Sequence, residues 1–333
     1  MSEGAAMRHT IHRRPRILVT RQWPEAVLLA LAERYDIVVD PLDRPLSSSD
    51  LARGMRDFDA ICTTITDRLD KQIISQMERR AGLIANYGAG CEHIDLDAAR
   101  AAGMVVTNTP DVLTQATAEL AILLMLMTAR RAGEGERELR AGRWPGWHPV
   151  HLMGRSLQGL RLGFVGYGRI AQATARMAQA LWNMQLGYHA RRAVSSRPDV
   201  PDAEYFSSLP ALLETSDIVS VHCPGGPETH HLIDAAMLAR FKPGALLINT
   251  ARGSVVGEAA LARALRDGPL AGAGLDVYEQ EPRIHGHLLE LENVVLLPHL
   301  GSATLDTRIA MGLRVLANVD AYFSRQVPPD RVV

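Results

Sequence analysis

Short apolar, β-branched runs alternate with helical patterns along almost the whole 333-residue chain, and this alternation limits the fold more than any other feature. In the first third, "RILVT" (16–20), "YDIVVD" (35–40), "DAICTT" (59–64), "GLIAN" (82–86) and "MVVTN" (104–108) read as strands. Helical patterns near 24–33, 49–56, 70–79 and 95–102 separate them. A β-α-β order of this kind predicts a parallel sheet with helices on both faces. The order breaks at 114–132, a long apolar helical stretch, and then at a charged, Gly- and Pro-containing segment with Trp144 and Trp147. It resumes at "LRLGFVG" (160–166) and runs through "MQLGYHA", "SDIVSVH", "GALLINT", "AGAGLDVY" and "NVVLLPH". A last helical pattern, 303–324, is stopped by "VPPD". Two parallel-sheet units follow from this, and periodicity alone leaves open which of them the last helix joins.

The length suits two domains. The formal net charge of -1 argues against nucleic acid as a partner, because phosphate neutralisation needs a basic surplus. Cys62, Cys91 and Cys223 are widely spaced, so they make neither a metal-ligand pattern nor a disulfide framework, and a reducing compartment is expected. The opening "MSEGAAMRHTIHRRPR" has no apolar core and reads as a polar tail rather than a secretory signal. The most apolar run, "LAILLMLMTA" (120–129), is far short of the ~20 residues a membrane helix needs. A cytoplasmic protein with no membrane contact and no bound metal is expected.

"RLGFVGYGRIAQATARMAQAL" is a strand, the turn Gly166-x-Gly168-x-x-Ala171, and a helix with Arg169 and Ile170 at its start. Gly166 makes the tight turn, Gly168 lets a pyrophosphate approach the backbone, and Ala171 lets helix and strand pack closely. The phosphates would sit at the helix N-terminus, where free N–H groups and the dipole favour anions. A structural turn that binds nothing is the alternative on these residues alone. Three later stretches carry polar groups where strands should end: "INTARGSVV" with Arg252, "GLDVYEQEP" with Asp276 and Glu281, and "LLPHLGSAT" with His299. Singly, each has a plain structural reading as an ion pair, a turn cap or a core histidine.

Taken together, "GFVGYGRIA", "VSVHCPGGPETHHLI", "KPGALLINTARGSVV", "AGAGLDVYEQEP" and "NVVLLPHLGSAT" closely resemble the D-2-hydroxyacid dehydrogenases, from about residue 16 to the C-terminus. "ANYGAGCEHIDL" and "VTNTPDVLTQATAELA" resemble the glyoxylate and hydroxypyruvate reductase branch. The resemblance implies an α/β protein of two Rossmann/flavodoxin-like parallel-sheet domains separated by a cleft that closes on ligand. Residues 1–107 plus 299–333 would form the substrate domain and 108–298 the NAD(P)-binding domain.

The resemblance also assigns roles. His299 would be the general acid-base, since an imidazole titrates near neutral pH, and Glu281 would orient it and favour its charged form. Arg252 would hold the 2-oxo acid carboxylate with its forked donors. Asp276, Thr250, Ala251 and Ser302 would line the nicotinamide end of the cofactor, with Pro224 and Thr229 along it. Tyr87, Gly88, Ala89 and Gly90, in a glycine-rich turn after a strand, would bind the substrate carboxylate through backbone N–H groups. Ile65, Tyr87 and Trp147 are candidates for the wall of the substrate pocket. Residues 114–150 would form much of a two-fold homodimer interface, with Trp147 either reaching the partner's site or acting as an interface anchor.

One position departs from the NAD-preferring pattern. The strand ending in "GYHARR" (187–192) has Ala190 where an acid would hold the ribose hydroxyls, followed by Arg191 and Arg192. Losing a negative charge and gaining two positive ones favours a 2′-phosphate, so NADPH is expected over NADH, with NADH remaining an alternative. The leading expectation is NADPH-dependent reduction of glyoxylate or hydroxypyruvate. Another 2-hydroxyacid dehydrogenase, such as phosphoglycerate dehydrogenase, is the runner-up; no regulatory domain follows the last helix, which weakens it. Formate oxidation would be expected to replace the Glu281 carboxylate by an amide. A cofactor-sensing scaffold of the same fold is the reading from a different class.

Overall fold

The computed structural model describes residues 13–195 and 201–333. The polar tail expected at the start of the chain lies, up to residue 12, outside the described residues. The chain divides into two compact units: the residues up to Val112 together with Leu305–Val333, and Leu113–Thr304. His299 therefore lies in the same unit as Arg252 and Glu281.

The first unit opens with β1 (Arg16–Val19), α1 (Glu25–Ala32), β2 (Asp36–Val39), α2 (Ser48–Asp57) and β3 (Ala60–Thr63). It continues with α3 (Lys71–Ile74), β4 (Leu83–Asn86), α4 (Leu96–Ala101) and β5 (Val105–Thr107). The five strands form a parallel sheet in the order β2-β1-β3-β4-β5, the flavodoxin-like arrangement. Burial explains the order. β3 and β4 are buried at every residue, whereas β2 alternates exposed and half-buried positions, as an edge strand of a two-sided sheet must. The helix α2 is started by a capping box, with Ser47 and Asp50 each accepting the other's backbone N–H.

The second unit contains α5 (Thr114–Ala129), α6 (Ala132–Arg140), β6 (Arg161–Val165), α7 (Arg169–Trp182), β7 (Gln185–His189), β8 (Glu204–Phe206), α8 (Leu209–Thr215) and β9 (Ile218–Val221). Then come α9 (Ala235–Leu238), β10 (Ala245–Asn249), α10 (Glu258–Arg266), β11 (Leu270–Leu275), α11 (Gly286–Leu289) and β12 (Val294–Leu296). Its parallel sheet runs β12-β11-β10-β9-β6-β7-β8. The order reverses at β6, which pairs with β7 on one side and β9 on the other. In open α/β sheets ligands bind beyond the C-terminal strand ends at such a reversal. The helical stretch expected over 114–132 is broken at Arg131, whose φ of 52° lies in the left-handed region, and α6 starts after it.

The chain returns to the first unit with α12 (Leu305–Phe323). There Tyr87 Oη donates to the Arg308 carbonyl at 2.5 Å and Tyr35 Oη to Asp320 at 2.7 Å. Arg314 grips Asp330 with two bonds of 2.6 and 2.7 Å, and Val332 N–H donates to the Val106 carbonyl on β5. The last helix is thus bonded into the core of the first sheet.

Candidate active site

The turn after β6 is set by close packing. Gly166 has a φ of +87°, and a Cβ there would lie 2.7 Å from the Cys223 amide nitrogen, so both conformation and space require glycine. Two residues on, a Cβ on Gly168 would meet nothing within 4 Å, so the backbone faces open space. Gly168 is also the N-cap of the fourteen-residue α7, and no side chain caps it. Its first N–H groups, with Arg169 and Ile170, are therefore suited to a pyrophosphate. Pro224 and Thr229 lie after β9. The Thr229 hydroxyl donates to the Pro224 carbonyl at 2.7 Å and Thr229 N–H to the Gly226 carbonyl at 3.1 Å, which closes that turn. Thr250 Oγ1 is buried with no hydrogen-bond partner, a polar atom suited to a ligand group. These features fit a dinucleotide.

Beyond β10, Asn249 organises the next residues: its Nδ2 donates to the Arg252 carbonyl at 3.0 Å, and its Oδ1 accepts Ala251 N–H at 3.0 Å. The Arg252 guanidinium donates back to the Ala251 carbonyl at 2.7 Å. Gly253 lies so close to the 278–279 peptide that a Cβ would come within 1.9 Å of the Tyr278 carbonyl carbon. This packs the arginine loop directly on the segment that carries Glu281.

His299 and Glu281 are joined by a hydrogen bond of 2.8 Å between Nδ1 and Oε2, with side chains 30% and 32% exposed. Because Nδ1–H donates to the carboxylate, Nε2 is the ring nitrogen left to exchange a proton. Burial by itself would raise the Glu281 carboxyl. The His299 hydrogen bond and charge, the Tyr278 N–H at 3.0 Å and the Arg252 charge outweigh it and hold the group below its ordinary value.

The His299 backbone has a φ of 56°, a conformation a non-glycine residue adopts only when its surroundings impose it. Asp276 imposes it. Its carbonyl accepts His299 N–H at 2.9 Å, and its two carboxylate oxygens accept the N–H groups of Leu300 (2.6 Å) and Gly301 (2.8 Å). Asp276 is 1% exposed, and burial pushes its carboxyl up to about 6 against the pull of those donors and of His299. The residue expected at the cofactor thus also fixes the histidine turn. Ser302 lies in the same turn, its carbonyl accepting Thr304 N–H.

The glycine-rich turn belongs to the first unit. Asn86 Nδ2 donates to the carbonyls of Gly88 (3.0 Å) and Gly90 (2.8 Å), Asn108 Nδ2 to that of Ala89 (2.7 Å), and Thr109 N–H to that of Gly88. With all three carbonyls held by the protein, the N–H groups of Gly88, Ala89 and Gly90 are the ones suited to an anion. The Tyr87 side chain is committed elsewhere: it is buried, packed at a tilt against the Trp23 ring with centroids 4.5 Å apart, and bonded to the Arg308 carbonyl. Ile65 and Trp147 are exposed, Trp147 to 82%.

Several residues that organise these sites carry no signal in the sequence. Glu258, buried at the start of α10, accepts the N–H groups of Glu279 (2.6 Å) and His285 (3.0 Å), while Glu279 Oε1 accepts Glu258 N–H. This clamps both arms of the loop around Glu281. At the end of β7, Arg191 is ion-paired with Glu228 at 2.7 Å, and Arg192 is exposed.

A glycine turn at the sheet reversal, with a histidine–carboxylate pair past the ends of neighbouring strands, is the layout of a nicotinamide-dependent oxidoreductase. Comparison with known proteins narrows the class. The model of the D-isomer specific 2-hydroxyacid dehydrogenase NAD-binding domain matches residues 122–301, and the chain belongs to that family. A glyoxylate reductase from Thermococcus onnurineus is 40% identical over 325 residues, 96% of each chain. A D-isomer specific 2-hydroxyacid dehydrogenase structure from Polaromonas superposes with a TM-score of 0.89 at 36% identity, covering 96% of this chain and all of that one. An NADPH-dependent glyoxylate/hydroxypyruvate reductase from Sinorhizobium meliloti, solved with NADP and malonate, gives a TM-score of 0.85 at 37% identity, covering 96% and 97%. The protein is thus an NAD(P)-dependent oxidoreductase with two parallel-sheet α/β units. No helix among the described residues is long and apolar enough to cross a membrane, and none of their His, Cys, Asp and Glu side chains group as a metal site.

Proposed function

We propose that the protein reduces a small 2-oxo acid, glyoxylate or hydroxypyruvate, to the D-2-hydroxy acid, using NADPH in preference to NADH. The observation that carries the reading is the 2.8 Å bond between His299 Nδ1 and Glu281, in the electrostatic reach of Arg252. The bound nicotinamide supplies the hydride. His299 Nε2 gives its proton to the carbonyl oxygen as the alcohol forms, and Glu281 holds the ring in the tautomer that makes this possible. Arg252 holds the substrate carboxylate and polarises the carbonyl. In the first unit the N–H groups of Gly88, Ala89 and Gly90 are donors suited to a carboxylate, and in the second Gly166, Gly168, Arg169, Ile170 and Thr250 serve the cofactor.

The substrate class is supported by the relatives named glyoxylate reductase. The NADPH preference is supported by Ala190 at the end of β7, with Arg191 and Arg192 after it. A panel of 2-oxo acids against both cofactors, followed at the nicotinamide absorbance band, tests both parts. Glyoxylate or hydroxypyruvate is expected to give the highest kcat/KM, with NADPH ahead of NADH. A wild-type preference for NADH would sink the cofactor assignment, and Arg191→Ala should reduce the NADPH preference. His299→Ala is expected to lower turnover by about 10²–10⁴-fold while cofactor binding is kept.

We also infer a homodimer. Leu123, Leu126, Leu139, Trp144, Trp147 and Met153 are all exposed on one segment of the second unit, an apolar concentration of the kind that marks a protein interface.

A further inference from the structure

We propose that Glu228 is the acid of the adenosine subsite: supplied by the turn after β9 rather than by the end of β7, it holds Arg191 and sets the discrimination between a ribose 2′-hydroxyl and a 2′-phosphate. The inference rests on the reading that Arg191 faces the 2′-position of the cofactor.

Three observations lead to it. First, β6, which carries the glycine turn, lies between β7 and β9. Arg191 follows β7 and Glu228 follows β9, so their 2.7 Å ion pair joins the two strands flanking the glycine turn, where the adenosine half of a dinucleotide lies. Second, Glu228 sits on a turn that Thr229 closes from both its hydroxyl and its N–H. Its carboxylate is therefore presented from a fixed backbone. Third, the two side chains are 85% and 76% exposed. An exposed pair of this kind is weak, so an incoming phosphate can compete for the arginine.

The chemistry follows. Without a 2′-phosphate, Glu228 neutralises Arg191 and offers oxygens that accept ribose hydroxyls. With a 2′-phosphate, Arg191 divides its donors between Glu228 and the phosphate, and the carboxylate then stands near a second anion of like charge. Glu228 therefore disfavours the phosphorylated cofactor relative to a site with the two arginines alone. Specificity here is a difference between two affinities, set by a repulsive element as well as an attractive one.

The test is calorimetric titration of the protein with NADP+ and NAD+, and with the fragments adenosine 2′,5′-bisphosphate and 5′-AMP, for wild type, Glu228→Gln, Arg191→Ala and the double variant. Glu228→Gln is expected to lower the Kd for NADP+ and the bisphosphate by about three- to tenfold and to leave NAD+ and AMP unchanged or weaker. An unchanged NADP+/NAD+ ratio in Glu228→Gln, with Arg191→Ala still losing NADP+ affinity, overturns the role of Glu228 and leaves the Arg191 reading standing. If Arg191→Ala binds NADP+ like wild type, the Arg191 reading itself fails. In the Arg191→Ala background the Glu228→Gln effect should shrink, and an effect of equal size in both backgrounds overturns the claim that Glu228 acts through Arg191.

Discussion

A Gly253→Ala substitution places one methyl group against the backbone that carries Glu281. The new Cβ would lie 1.9 Å from the Tyr278 carbonyl carbon, 2.2 Å from its oxygen and 2.4 Å from the Glu279 nitrogen. Ordinary contact starts at 3.4 Å, so the two segments must separate by about 1.5 Å. None of the three atoms belongs to a side chain that can rotate away. The far side of the loop is held by Glu258 through Glu279 and His285, so the displacement is passed along the loop. Glu281, two residues past Glu279, accepts the Tyr278 N–H and the His299 ring, and both geometries change. A misplacement near 1 Å at reacting groups costs roughly 10²-fold, and overpacking of this kind costs about 1–3 kcal/mol of stability. The expected variant is folded, melts a few degrees lower, binds the cofactor nearly as wild type does, and has kcat lowered about 100-fold with the preferred 2-oxo acid. Stopped or steady-state assays at the nicotinamide band, with thermal melts alongside, decide it. A variant with a normal kcat would refute the coupling between the arginine loop and the histidine–carboxylate pair.

Glu281→Gln removes the negative member of a charge-assisted bond worth about 1.5–3 kcal/mol; kcat is expected to fall roughly ten- to hundredfold. Because the Glu281 carboxyl is held below its ordinary value, the pair is intact above the usual carboxylate range and is lost as pH falls through the lowered value. The wild-type pH–kcat profile should show that acid loss and the variant should not. Asp217 accepts Lys242 and Arg155 at 2.6 and 2.7 Å and the Arg161 N–H at 2.9 Å. Burial opposes these bonds, yet they hold its carboxyl at about 2. Its stabilisation is therefore full above about pH 4 and lost between there and about 2, and Asp217→Asn should cost about 1–2 kcal/mol in urea unfolding at neutral pH. Leu126→Glu, on the exposed apolar face, should halve the mass measured by sedimentation. An unchanged mass would place the interface elsewhere.

The strand pattern was readable because buried parallel strands announce themselves: β3, β4 and β9 are apolar or small at nearly every position and buried at all of them. β8 carries no such pattern, because Glu204 and Tyr205 are exposed at the sheet edge and the strand has no apolar run. The pattern over 70–79 shrank to the four-residue α3, and the long helix after β5 broke at Arg131, where residue types gave no sign of a left-handed turn. In the site, Arg252 and His299 stood out because each is a polar residue just past an apolar strand. Glu258 and Asn249 did not, since what they do is accept or donate to backbone groups, and any exposed surface residue of those types looks the same. Glu228 was hidden for a different reason: its partner lies 37 residues away, and only the sheet order brings the two together.

The return of α12 to the first sheet has a consequence for how the chain is made. The sheet of β1–β5 is complete in sequence by Thr107, but the helix that Tyr87 and Tyr35 bond to comes only after Leu113–Thr304 has been synthesised. At ribosomal rates of about 5–20 residues per second that is a wait of roughly 10–40 s. During it, β4 and the neighbouring apolar surfaces lack their final cover, and by its end the second unit, continuous in sequence, has all of its strands. The unit translated first is therefore the one that matures last, and nascent-chain chaperones have their longest opportunity on its exposed sheet.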